Sequence, residues 1–188
     1  MKIRLILFLP LLAALALSSG CVTSRTPVGN KVAALKPEDW NKEWRDGDGE
    51  IVSTKIKDAK LGIVQVRTKP AWLKPSETRD ILVRTLGPLT IVNQKTDGGY
   101  DFGRIALDSM GLVVFGPNKP FFASLIRKHE IVGKIEKDKH GKPTGTCIID
   151  GFSADDYERL KREGFEARTL FDEDPSQILV RQKCMPFW

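Results

Sequence analysis

The chain has 188 residues, which is enough for one compact domain with a hydrophobic core but short for two. Its formal net charge is +6, and basic and acidic residues are mixed along the sequence. This mild charge argues against the strongly basic surface that nucleic-acid-binding proteins present, so we expect no nucleic-acid partner.

The N-terminus has the pattern of an export signal. Two positive charges, Lys2 and Arg4, precede an uncharged apolar run from Leu5 to Leu17. The run has about 13 residues, whereas a helix that spans a bilayer needs roughly 20. The pattern is therefore typical of a cleaved signal peptide and not of a permanent anchor helix.

A cysteine follows this run. Ser18-Ser19-Gly20-Cys21 resembles a lipobox, the processing site of bacterial lipoproteins. The resemblance covers residues 1–21 alone. It implies that residues 1–20 are a signal peptide and that Cys21 carries a diacylglycerol and a fatty acyl group; we expect no other cofactor.

Two features of this site leave an alternative open. Ser18 stands where a lipobox has an apolar residue. Ser18 and Gly20 also satisfy the small-x-small rule of ordinary signal peptidase, which would release a soluble secreted protein.

The residue after the cysteine bears on the location. It is Val22, not the Asp that resembles an inner-membrane retention signal, so the resemblance implies the outer membrane with the domain facing the periplasm. Several acyl chains hold a protein firmly on a bilayer, which makes the bilayer the first expected partner.

The remaining chain is predicted to consist of a tether and a domain. Residues 21–36 lack a clear periodicity and contain Ser, Thr, Pro and Gly, which predicts a lipidated N-terminus followed by a flexible tether. Residues 37–188 are predicted to form a single globular α+β domain, a mostly antiparallel sheet with about three short helices packed on one side.

In chain order the predicted elements are helix 37–45, strands 50–57 and 61–67, helix 76–87, strand 89–93, hairpin 103–115, helix 118–128, hairpin 131–150, helix 153–163, and strands 165–171 and 177–183.

The helix over 76–87 is the ambiguous element. Ser76 has the character of an N-cap and Gly87 that of a helix end. Ile81 and Leu86 share a helical face, but Val83 and Thr85 make a strand possible as well.

Cysteine counting agrees with acylation. If Cys21 carries lipid, Cys147 and Cys184 remain, and two thiols can form a disulfide in an oxidising compartment. Two separate buried thiols are the alternative.

No catalytic or metal-binding motif is present. His129 and His140 lack cysteine or histidine partners at zinc-ligand spacing, and no Gly-x-Ser-x-Gly sequence occurs. We therefore expect neither a metal site nor an enzyme. A hydrolase acting on the cell wall, with paired carboxylates brought together by the fold, is the alternative.

Aromatic residues are the candidates for partner binding. Trp72 lies in a loop between two prolines, where an exposed tryptophan would act as a contact anchor. Trp40 and Trp44 lie four residues apart on one predicted helical face, either towards a partner or towards the core.

The sequence thus favours a non-enzymatic binding or assembly module for an unknown envelope protein or cell-wall component. A third hypothesis is an anionic polymer bound by Arg127, Lys128, Lys134, Lys137, Lys139 and Lys142.

Overall fold

The computed structural model describes residues 22–69, 75–107 and 111–181. Its sheet contains twelve strands within these ranges. The strands are β1 (Val22–Ser24), β2 (Lys31–Val32), β3 (Lys42–Arg45), β4 (Ile51–Asp58), β5 (Ile63–Lys69), β6 (Glu77–Leu86), β7 (Leu89–Thr96), β8 (Gly99–Leu107), β9 (Gly111–Phe115), β10 (Gly133–Lys137), β11 (Pro143–Ile149) and β12 (Gln177–Arg181). The helices are α1 (Pro37–Trp40), α2 (Lys119–Arg127) and α3 (Ala154–Arg162), and a 3₁₀ turn covers Ala167–Leu170.

Eight strands close into a barrel. They follow the order β8-β7-β6-β5-β4-β3-β12-β9, and β9 returns to β8. Every pair in this ring is antiparallel. The predicted α+β packed sheet is therefore wrong: the sheet closes on itself, which pairs the strand edges directly, and its short helices cover only part of the outer wall.

The barrel carries a three-stranded extension. One edge of β8 is shared by two strands, since β1 lies opposite Tyr100 and Asp101 while β9 lies opposite residues 104–107. β11 then pairs with β1 in parallel, and β10 pairs with β11. β2 pairs with residues 84 and 85 of β6, beyond the end of β5.

The prediction of a helix over 76–87 is wrong, because these residues form β6. Ile81 and Val83 alternate into the barrel with the two-residue period of a strand, and the β-branched residues fit that pleat. Gly87 has a φ of 57° and opens the two-residue turn to β7, which is the glycine position of a type II′ hairpin and not a helix end.

Two further predicted elements, the helix over 37–45 and the strand over 165–171, differ from the structure. The helix over 37–45 ends at Trp40, and Lys42–Arg45 is β3. Most of the strand predicted over 165–171 is the 3₁₀ turn.

The other helices and the second hairpin are confirmed. Asn118 caps α2 by accepting from the backbone N–H of Phe121 at 3.1 Å. Ser153 and Asp156 form a capping box at the start of α3. β10 and β11 form the hairpin predicted over 131–150.

Residues 22–36 do not form the predicted tether. They contribute β1 and β2, and Val22 and Val28 have no solvent exposure. Their polar composition suggested a loop, but β8 and β11 impose the strand conformation on β1 by pairing with its two edges.

The described residues form two hydrophobic cores. One fills the barrel with side chains that include Trp44, Val52, Val64, Val92 and Leu179. The other lies between the outer wall, the extension and helices α2 and α3, where Phe102 meets Phe122 edge to face at 5.7 Å. The barrel interior is therefore a packed core.

Candidate functional site

The first functional feature is the point where the chain enters the fold. Cys21 lies outside the described residues, and it directly precedes Val22, where β1 begins. Val22 is fully buried and lies opposite Cys147. A lipid on Cys21 would therefore be attached directly to the folded domain, without a flexible spacer.

Asn93 holds the N-terminal segment on the barrel. Its Oδ1 accepts from the backbone N–H of Val28 at 2.6 Å, and its Nδ2 donates to the Val28 carbonyl at 3.1 Å. The Asn93 side chain has no solvent exposure. Its two hydrogen bonds therefore satisfy the buried backbone groups of Val28 in place of a neighbouring strand.

Surface contacts add to this attachment. The Arg25 guanidinium lies 2.9 Å from the Asp150 carboxylate, and the Thr26 hydroxyl donates to the Asp150 carbonyl at 3.0 Å. The segment after β1 is thereby joined to the end of β11.

An open groove lies at this end of β1 and β11. It encloses about 330 Å³ between the segment after β1 and the residues that follow β11. Val132 stands on its lining with 71% of its surface exposed. The lining residues are Thr26, Pro27, Gly29, Asn30, Ile131, Val132, Asp150, Gly151, Phe152, Ser153 and Asp156. This mixture of apolar and hydrogen-bonding groups suits a peptide segment better than a single ion.

The two carboxylates of the groove already have structural partners. Asp150 pairs with Arg25, and Asp156 accepts from the backbone N–H of Ser153 at 2.9 Å. Both carboxylates therefore hold the groove wall together.

The histidines do not converge on this groove. His129 is exposed at the end of α2 with a φ of 58°, and His140 is exposed in the turn between β10 and β11. They flank opposite ends of β10.

Three ionisable groups elsewhere are perturbed. Burial raises the pKa of Asp101 on β8. Burial, and then the nearby charge of Asp174, raise the pKa of Asp172. Burial lowers the pKa of Arg104, whose guanidinium lies 4.0 Å from the centre of the Phe115 ring. Asp101 and Arg104 both lie on β8, Asp172 lies just after the 3₁₀ turn, and none of the three belongs to the lining of the groove.

The structure changes the interpretation of the predicted binding residues. Trp40 and Trp44 are 4% and 0% exposed, and both belong to the barrel core, so the partner-binding role considered for them is wrong. Trp72, Cys21 and Cys184 lie outside the described residues. Cys147 is buried, and its predicted bond to Cys184 remains a prediction.

The six basic residues do not form one patch. Lys137, Lys139 and Lys142 lie at the tip of the β10–β11 hairpin. Arg127 and Lys128 end α2, beside the opposite end of β10, where Ile126 contacts Gly133.

Sequence reasoning missed Asn93 and the groove. Asn93 had one signal, since it is a polar side chain at the end of the mainly apolar run 89–93. The groove had none, because three segments that are distant in sequence form it.

Comparison of the chain with protein-family models, with curated proteins and with solved structures finds no match. Among the described residues, no helix has the length and apolar character required to cross a membrane. Residues 22–69, 75–107 and 111–181 also contain no group of three or more potential metal ligands.

Proposed function

We propose that the protein is a lipid-anchored envelope lipoprotein that binds another envelope component through the groove. The observation that carries this proposal is the junction at residues 21 and 22. A leader of signal-peptide length ends in Ser19-Gly20-Cys21, and the buried strand β1 begins at the next residue. Cleavage before Cys21 leaves the described fold intact.

The groove supports a binding role over a catalytic one. Its carboxylates are engaged in an ion pair and a helix cap, and both histidines lie elsewhere. Its apolar side chains and backbone turns instead offer a contact surface. We propose a protein segment of the periplasm as the partner, with the anchor in the outer membrane.

Metabolic labelling with a radioactive fatty acid tests the anchor. We expect the natural protein to be labelled and to fractionate with membranes, and Cys21→Ala to lose both properties completely. Cys184→Ala is the matched control and should keep both, because its thiol is not at the cleavage site. An N-terminus at an unmodified Cys21, found by mass spectrometry, would contradict the proposal.

Site-specific photo-crosslinking in cells tests the groove. A photoreactive residue at position 132 should give a discrete adduct with a second envelope protein. Position 178 on the outer barrel wall is the matched control, because Ile178 is also exposed, at 52% compared with 71% for Val132. Equal adducts from both positions, or none from position 132, would rule out the groove as the binding surface.

A further inference from the structure

The hairpin between β10 and β11 extends past the proposed anchor. β11 runs parallel to β1, with Cys147 opposite Val22. β11 begins at Pro143, four residues before Cys147. The ladder with β10 is irregular here, since Ile135 lies opposite Cys147 and Lys137 opposite Pro143. At about 3.3 Å per residue of β10, the start of β11 lies roughly 7 Å beyond the level of Val22, in the direction away from Ser24. The hairpin turn lies further still in that direction.

This turn carries a cluster of exposed positive charges. Residues 137–142, the lysine tip, contain three exposed lysines, Lys137, Lys139 and Lys142. The Asp138 carboxylate accepts from the backbone N–H groups of His140 at 2.8 Å and Lys142 at 2.9 Å. These bonds fix the turn, so the lysines are presented by a defined loop.

We propose that the lysine tip contacts anionic phospholipid headgroups of the leaflet that holds the acyl chains of Cys21. This inference rests on the proposed function, because acylation brings the bilayer surface to residue 21. Without a tether, the domain cannot move away from that surface, and the hairpin stays within reach of the headgroups. Lysines attract anionic lipid within a Debye length of the surface.

The same contact orients the groove. The groove includes Asp150, which follows the last residue of β11, whereas the lysine tip precedes the first. β11 separates the two, and because its length is matched by four steps of β10, from Gly133 to Lys137, the separation is at least about 13 Å. With the lysine tip on the bilayer, the groove faces away from the membrane and is open to a partner in the periplasm.

Vesicle binding by the chain from residue 21 to 188 with Cys21→Ala tests the headgroup contact, since this variant carries no acyl group. The probes are vesicles of phosphatidylcholine alone and of phosphatidylcholine mixed with phosphatidylglycerol. We expect binding to the mixed vesicles only, and its loss at high salt. One lysine close to an anionic surface strengthens binding by about fivefold. Replacing Lys137, Lys139 and Lys142 with glutamine should therefore weaken binding by at least tenfold.

A second triple variant controls for net charge. Replacing Arg127, Lys128 and Lys161 with glutamine removes the same charge from exposed positions on α2 and α3. It should weaken binding by less than threefold, because these residues do not lie at the lysine tip. Equal weakening by the two variants, or equal binding to both kinds of vesicle, would overturn the inference.

The two proposals fail separately. If Cys21 carries no fatty acid in labelling experiments, the lipoprotein proposal fails whatever the vesicles show. If Cys21 is acylated and the two triple variants bind alike, only the headgroup contact and the orientation are wrong. Circular dichroism of both variants checks that the fold is retained, as expected for substitutions at exposed positions.

Discussion

Replacing Trp44 with alanine is expected to lower the free energy of unfolding by about 3–5 kcal/mol. The Trp44 side chain has no solvent exposure and fills the barrel interior. Its indole N–H donates to the Thr54 hydroxyl at 3.0 Å, and that hydroxyl in turn donates to the Trp40 carbonyl. The alanine variant loses the packing and leaves a cavity. Because small domains are stable by only about 5–15 kcal/mol, the loss should be evident in urea denaturation followed by far-ultraviolet circular dichroism.

Trp44→Phe separates packing from hydrogen bonding. The phenyl ring keeps most of the apolar volume but removes the indole N–H, so we expect a loss of about 1–2 kcal/mol. A surface tryptophan that served a partner would behave differently, since its replacement by alanine would change stability by about 0.5 kcal/mol or less. A change that small in Trp44→Ala would contradict the barrel core described here.

Replacing Val22 with aspartate is expected to destabilise the domain by more than about 4 kcal/mol at neutral pH. The position is fully buried, lies opposite Cys147 and belongs to the same apolar cluster as Phe102. A buried ionised group without a partner is among the most costly of single substitutions.

Ala34→Asp is the matched control for this experiment. Ala34 lies in the same N-terminal stretch but is exposed, so the added charge remains in water. Its free energy of unfolding should stay within about 0.5 kcal/mol of the natural protein. Identical denaturation midpoints for Val22→Asp and Ala34→Asp would mean that residues 22–36 are a tether after all.

Local sequence signals predicted those elements whose partners are close in the chain. The β10–β11 hairpin and helices α2 and α3 follow from turn residues, caps and apolar faces within about 20 residues. For β6 the local signals conflict, because Ile81, Val83 and Leu86 satisfy both a helical and a strand period in part. Pairing with β5 and β7 decides the outcome, and no short window contains those partners.

Barrel closure and the candidate site depend on still more distant pairings. Val180 on β12 lies opposite Arg45 on β3, and Val22 lies opposite Cys147. The three residues of β1 are too few and too polar for a strand signal, so only the completed sheet shows that they are not a tether. The leader, in contrast, is a local pattern read in the unfolded chain, and the sequence alone suffices to propose it.

The parallel pairing of β1 with β11 also affects the order of events during biogenesis. Contacts between residues far apart in sequence form late and slowly. In the proposed export, the segment after the leader crosses the membrane before the rest of the domain. β1 meets its first partner only when residues 100 and 101 of β8 have followed, and its second only with residues 147–149 of β11. The barrel likewise cannot close until β12 has followed, because β12 is the strand that pairs with both β3 and β9. The chain thus stays unfolded through most of its translocation, and the domain completes its fold on the bilayer surface where its first residue is already held.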